Sequence, residues 1–185
     1  QSDGKLVLVG SFLSYEEVSR GFIARIDPAD GGLDTTFDPS SGANNVVFSV
    51  AAQDDGKLVI GGLFAAFNGT LIDKLARVDS GGTIDGTFDP SDGPSNAVSK
   101  IAPLAGNELL IGGAFKAYDG NTVHGIARVD SSGSRDTSFA PAPGTNASNP
   151  SVADMEQTAD QRIIIVGSFT SYNGINRGRI ARIWH

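Results

Sequence analysis

Four copies of one short turn set the strongest limit on what this chain can become. "GSFLSYEE" begins at Gly10, "GLFAAFNG" at Gly62, "GAFKAYDG" at Gly113 and "GSFTSYNG" at Gly167. Their phenylalanines, Phe12, Phe64, Phe115 and Phe169, are 52, 51 and 54 residues apart. Twelve residues after each Phe comes the arginine's Ala neighbour in an Ala-Arg pair, which ends in Arg25, Arg77, Arg128 or Arg182. An Asp-x-x-Phe element then follows from Asp34, Asp85 and Asp136, and runs on to Pro39, Pro90 and Pro141. Three landmarks in fixed order at near-constant spacing define a repeat, and a period of this length points to solenoids, propellers or arrays. The 185 residues read as a single repeat domain, 1–185, with units at about 1–52, 53–103, 104–157 and 158–185.

Each period predicts four strands. The first carries an apolar pair, Val47 with Val50, Val98 with Ile101, or Val152 with Met155. A tight Asp-Gly turn follows in the first two repeats, where Gly supplies the positive φ such turns need. The second strand is apolar throughout ("LVLV", "LVIG", "LLIG", "IIIV"), as suits a strand covered on both sides. The Phe-x-x-aromatic turn reverses the chain into "IARI", "LARV" or "IARV", and the Asp-x-x-Phe element makes a short fourth strand. No stretch has helical periodicity with caps. Four antiparallel strands per period, with a core strand that needs neighbours on both flat faces, is the logic of a propeller blade. A β-solenoid is the competing layout, but its coils are shorter and carry fewer tight hairpins. The expected fold is an all-β propeller of four-stranded antiparallel blades, about three and a half repeats of about 52 residues.

Composition narrows function. With 21 acidic and 14 basic side chains the net charge is −7, which repels phosphate backbones, so nucleic acid is excluded as an expected partner. Apolar runs reach five residues (63–67), against the roughly 20 a helical membrane span needs. Cysteine is absent, which removes disulfides and thiolate chemistry without fixing a compartment. Scarce lysine with abundant Gly, Ser, Thr and Asn leans towards a secreted or cell-surface β protein. Gln1 opens the chain, so either a leader has been removed or a longer protein surrounds it.

The motifs resemble those of the delta-60 repeat proteins of bacteria. "QSDGKLVLVGSF" (1–12) and "QDDGKLVIGGLF" (53–64) look like that family's opening element. "SYNG" (171–174), "RIARI" (179–183) and "GGLDTTF" (31–37) supply the rest. The third repeat departs with "LAGNELLIGG" and the last with "TADQRIIIVG". The resemblance implies propeller-like blades in surface or secreted proteins and implies no reaction.

Several residue sets can be read two ways. Arg25, Arg77, Arg128 and Arg182 could ring a channel and bind an anion. Alternatively each pairs with a carboxylate, Asp34, Asp85 and Asp136 being the natural partners, and holds strands in register; recurrence in every repeat favours this structural reading. Tyr15, Phe67, Tyr118 and Tyr172, three residues after each Phe, are candidate ligand-binding platforms for sugar rings or protein segments if they lie on a rim. The plainer reading makes them caps of the core beside an αL turn. The acidic loops at 27–34, 89–93 and 130–136 match no calcium motif, and Asp and Gly are ordinary turn residues. No metal site and no cofactor are expected. His124 and His185 are the only histidines, no nucleophile or phosphate-loop motif appears, and the symmetry-breaking acids Glu16, Glu17 and Glu156 have no partner at a recognisable spacing. Two glycosylation-like triplets, Asn68-Gly69-Thr70 and Asn146-Ala147-Ser148, read as accidental.

The chain is therefore expected to be a non-catalytic extracellular or surface propeller module for protein interaction or structural assembly. A lectin-like module using the four aromatics is the alternative, and a polysaccharide-acting enzyme a minor one. The first repeat lacks its first strand and the last its fourth, so a simple overlap of the two ends would place six strands where four belong. This predicts an open arc whose partner, another protein or the rest of a longer chain, completes a propeller or filament.

Overall fold

An apolar pair three residues apart, such as Val47 and Val50, would point to opposite faces of a regular strand. A β-bulge removes the conflict. Val47 pairs with Gly62 and Val50 with Ile60, the register shifting between Val47 and Ser49, so both side chains reach one face. The same shift recurs between Val98 and Lys100 and between Val152 and Asp154. The structure, a computed structural model, describes residues 1–139, 144–146 and 151–184; Pro141, Ala147, Ser148 and His185 lie outside the described residues.

In the first repeat, β1 (Leu6–Val9) is followed by a miniature hairpin, β2 (Ser14–Tyr15) and β3 (Val18–Ser19), then by β4 (Ile23–Ile26), which pairs antiparallel with β1. The second repeat adds a leading strand. It runs β5 (Val47–Ala52), β6 (Leu58–Gly62), hairpin β7 (Ala66–Phe67) and β8 (Thr70–Leu71), then β9 (Leu75–Val78), with sheet order β5-β6-β9. The third repeats the plan with β10 (Val98–Pro103), β11 (Leu109–Gly113), β12 (Ala117–Tyr118), β13 (Asn121–Thr122) and β14 (Ile126–Val129). Its departing turn is a short 3-10 segment at Ala105–Asn107, where Gly106 takes a φ of 74°. The fourth has β15 (Val152–Gln157), β16 (Ile163–Gly167), β17 (Ser171–Tyr172), β18 (Ile175–Asn176) and β19 (Ile180–Ile183). Each leading strand comes from the end of the sequence period before the one that supplies its sheet partners.

The fourth strand is reduced to a single bridge: Ile26 to Leu33, Val78 to Ile84 and Val129 to Arg135. Its Asp is the reason. Asp34, Asp85 and Asp136 each accept the N–H of the residue two further on, a local bond that turns the chain out of the ladder. The segment then crosses to the next repeat, where Asp38 N–H donates to Gly81 O at 2.8 Å and Asp89 N–H to Ser132 O at 2.7 Å.

The sheets stack in chain order. β5 packs on β1, β10 on β5 and β6, and β15 on β10 and β11. The result is an all-β fold of repeating antiparallel sheets in an open, unclosed row. Three apolar layers fill the gaps, built around Ile60 and Phe64, around Ile101 and Phe115, and around Met155 and Phe169. The Gly of the repeated turn has a direct steric reason. A Cβ at Gly62, Gly113 or Gly167 would lie 2.0–2.2 Å from the carbonyl oxygen of Val46, Ala97 or Ser151 on the leading strand's approach.

Candidate functional site

The third strand of each repeat places its Arg at the inter-repeat boundary. Arg25 Nε donates to Asp34 Oδ2 at 2.8 Å, its Nη2 to Thr36 Oγ1 at 2.9 Å, and its Nη1 reaches across to Ser80 O of the next repeat at 2.8 Å. Arg77 repeats this with Asp85, Thr87 and Ser131 O at 2.8, 2.9 and 2.7 Å, and adds Gln53 at 3.3 Å. Arg128 takes Asp136 and Ser138 at 2.7 and 2.9 Å. The Phe that closes each Asp-x-x-Phe element lies under the guanidinium, Phe37 and Phe88 at 5.1 Å and Phe139 at 5.5 Å. One Arg thus joins its own turn, an aromatic and, in the first two repeats, the following blade.

The carboxylates record this. The Thr36 hydroxyl, with the Thr36 N–H and Arg25 adding to it against burial, holds Asp34 down at about 2. The Ser138 hydroxyl and N–H, with Arg128, hold Asp136 at about 2. Burial pushes Asp85 up, but Lys57 at 2.8 Å, Thr87 and Arg77 outweigh it and keep its carboxyl well below the ordinary range.

The four aromatics do not share one environment. Phe67 and Tyr118 are fully buried, with no ring face open to a ligand. Tyr118 donates to Gly133 O of its own turn, and burial pushes its hydroxyl well above the usual phenol range. Tyr15 is half-buried and donates to Gly31 O at 2.6 Å. Tyr172 is also half-buried, its pKa raised by burial to about 12, and among the described residues its hydroxyl meets no such carbonyl.

The fourth repeat is where the pattern opens. Arg182 is exposed and, among the described residues, makes no ion pair within 4.0 Å, although its charge joins the Thr158 hydroxyl and Arg162 in holding the Asp160 carboxyl below its ordinary range. Ile180 is 56% exposed, while its counterparts Ile23, Leu75 and Ile126 are fully buried. Trp184 stands where Asp27, Asp79 and Asp130 stand in the other repeats, and is 68% exposed with the Arg162 guanidinium 4.2 Å from its ring centroid. A cleft of about 340 Å³ lies here, lined in part by Ser138, Tyr172, Asn173, Arg182 and Trp184. Trp184 and Arg162 were not singled out from the sequence, although the exchange of Trp for a repeated Asp is visible once the repeats are aligned.

The remaining candidates have local employment. Asp27, Asp89 and Asp130 accept N–H groups two residues on, the geometry of turn-stabilising aspartates. Glu16 accepts Leu33 N–H at 2.9 Å. His124 has a buried Nδ1 without a hydrogen-bond partner among the described residues, and its carbonyl receives Thr145. Glu17 and Glu156 are exposed, and His185 lies outside the described residues. Asn68 is exposed at a turn, while the second glycosylation-like triplet extends beyond the described residues. No group of three or more His, Asp or Glu that could hold a metal occurs among the described residues. No described helix is long and apolar enough to cross a membrane.

A family model described as "domain of unknown function (DUF5122) beta-propeller" matches residues 1–37, 53–88, 107–139 and 158–184. The matched segments run from the opening strand to the Asp-x-x-Phe element, which are the repeat landmarks. None of the curated proteins matches the chain. Among solved structures, the chain is similar to the extracellular domain of a hybrid two-component system from B. thetaiotaomicron. The likeness has a TM-score of 0.49 and 20% identity, and covers 98% of this chain and 19% of that one.

Proposed function

Since this chain belongs to the DUF5122 beta-propeller family, we propose that it is a non-catalytic scaffold module whose end blades are covered, in use, by further blades, of a partner protein or of the rest of a longer chain. One observation carries the proposal: equivalent residues are buried inside the row and exposed at its ends. Leu58 and Leu109 are buried, but Leu6 is 49% exposed; Leu75 and Ile126 are buried, but Ile180 is exposed. Apolar side chains that are core in one copy and surface in another mark a face that expects a neighbour. The non-catalytic part is supported by the local pairing of Arg25, Arg77 and Arg128 with Asp34, Asp85 and Asp136. Placement outside the cell is supported by the lysine-poor, Gly/Ser/Thr/Asn-rich composition, and the finer delta-60 assignment by the motifs at 1–12, 53–64 and 171–183.

Sedimentation velocity over a concentration series tests the module. The 185-residue protein should associate, and Ile180→Asp and Leu6→Asp should each shift it towards monomer. A wild-type protein that stays monomeric at every concentration and unfolds cooperatively would remove the proposal.

A further inference from the structure

A structural need recurs in every repeat, whereas one copy of a binding site is enough. The second repeat, inside the row, breaks the pattern between the return strand of its hairpin and the loop that follows its Asp-x-x-Phe element. A cleft of about 450 Å³ lies there, lined by Ala65, Leu71, Ile72, Asp73, Ser91 and Asp92.

The first repeat holds the same place closed. A Cβ at Gly21 would lie 2.1 Å from Ser41 O, so glycine lets the loop come in, and Ala43 N–H donates to Gly21 O at 3.0 Å. Arg20 spans the gap. It is 6% exposed, and its Nη1 donates to Ser19 O at 2.8 Å and lies 3.5 Å from Asp38 Oδ1 at the start of the loop. The third repeat keeps the backbone bond, Thr145 N–H to His124 O at 3.1 Å.

The second repeat changes each of these parts. Asp73 stands where Gly21 does, Ile72 where Arg20 does, and Pro94, in the place of Ala43, has no N–H to give. The loop sits back accordingly. A Cβ at Gly93 would be 3.3 Å from Asp73 O, against 2.3 Å from a Cβ at Gly42 to Gly21 O. Leu71, where the other repeats carry Ser19, Thr122 and Asn176, is 87% exposed. Lys74 takes one oxygen of Asp73, Oδ2 at 3.2 Å, while the Asp92 carboxylate has no hydrogen bond or ion pair among the described residues. An apolar wall therefore meets an uncompensated negative charge.

We infer that this cleft is a docking site for an arginine side chain presented by a partner protein. The guanidinium bridges hairpin and loop as Arg20 does from within the first repeat. It pairs with Asp92 and the remaining oxygen of Asp73, and its methylene stem covers Leu71. Arginine suits the place because its planar head pairs with carboxylates at two points, is weakly hydrated, and carries an apolar stem. The inference goes beyond the scaffold reading, which concerns the end blades and is tested apart from it.

The probe is N-acetyl-arginine amide, titrated into the isotope-labelled 185-residue protein and followed through backbone amide shifts. Saturable shifts are expected at residues 71–73 and 91–92, with a dissociation constant on the order of 1–10 mM. Residues 40 and 41 of the first repeat, whose gap Arg20 already spans, should stay still. N-acetyl-citrulline amide, nearly the same shape without the charge, should bind at least about fivefold more weakly, and Asp92→Asn should weaken the arginine probe by as much. Combining Ile72→Arg, Asp73→Gly and Pro94→Ala rebuilds the first repeat's pattern and should abolish binding. No saturable shifts, equal binding of citrulline, or equal shifts at residues 40 and 41 overturns the inference. So does calcium that saturates the cleft where arginine does not, because the place would then be a metal site. Leu6→Asp and Ile180→Asp, which address the end blades, should leave arginine binding unchanged, so the two readings fail separately.

Discussion

Arg77 and Arg182 occupy the same position of the same motif, yet removing them should have very different consequences. Arg77 is 6% exposed and bonded to Asp85, Thr87, Gln53 and Ser131 O, with Phe88 beneath it. Arg77→Ala deletes these bonds and leaves the Ser131 carbonyl without this partner. Asp85 is not abandoned, because Lys57 Nζ remains at 2.8 Å. The cost should therefore fall below the roughly 3–5 kcal/mol seen when a buried charge is stranded, and above the roughly 1 kcal/mol of one neutral hydrogen bond. About 1.5–3 kcal/mol is the expected destabilisation, a drop in Tm of roughly 3–12 °C for a chain of this size. Arg182→Ala removes an exposed side chain and should stay within about 0.5 kcal/mol. Urea titrations followed by circular dichroism measure both, and m-values must be compared because row-like repeats can unfold in parts. Equal midpoint shifts for the two variants, or no shift for Arg77→Ala, would refute the argument that the Arg acts as an inter-repeat latch.

Gly112→Ala should destabilise by about 1–3 kcal/mol, since the new Cβ would lie 2.4 Å from Met155 Cε and 2.8 Å from Val152 Cγ1; adding Met155→Ala should recover part of the loss in a double-mutant cycle. Tyr118→Phe should cost about 1 kcal/mol by leaving Gly133 O unpaired, and Tyr118→Ala about 3–5 kcal/mol because a fully buried ring is lost. Stability should also fall in acid. Asp34 and Asp136 sit at about 2 in the folded protein against an ordinary 3.8, so the unfolded chain binds their protons more readily. Their contribution is complete above the ordinary carboxylate range and drains as pH falls through about 2. Urea midpoints measured from neutral pH downwards should decline in that window, and a flat profile would contradict the assigned bonds.

The period, the three long strands and the Arg–Asp partnership were legible because each is carried by residue types whose preferences are local. Apolar runs of four or five between Gly turns have few other uses. The leading-strand bulge was not legible, because Val47 and Val50 declare only that both want burial; the register that reconciles them is a property of the paired strand. The fourth strand was over-read for a similar reason. Asp34 looks like the start of an extended segment, but its carboxylate satisfies the chain two residues on and ends the ladder after one bridge. The four aromatics look equivalent in sequence and are not: Phe67 and Tyr118 are fully buried, while Tyr15, although its hydroxyl also reaches a turn carbonyl, and Tyr172 are half-buried. Tyr118 has Gly133 over it, whereas Tyr172 borders the open cleft. Trp184 broke the pattern in plain view, as the one large aromatic in a column of aspartates.

The backbone repeats more faithfully than the packing does, and the difference fixes the order of the blades. Gly61 and Gly112 have no room for a Cβ because Val98 and Ile101, or Val152 and Met155, come from the next leading strand and fill the space. At the equivalent place in the first repeat stands Val9, and the residue corresponding to Ile101 and Met155 is the smaller Val50, both packed into the first apolar layer. A larger residue on one blade is matched by a smaller one on its neighbour, as close packing demands when the gap between sheets is set by the repeated backbone. Exchanging the leading strands of the second and third repeats would set Ile101 against Val9 and Val50 against Gly61, one contact overfilled and the other hollow. The second and third boundaries share a small Gly facing a large residue, and the first, with Val9 facing Val50, is the one whose packing rejects the leading strands of the others.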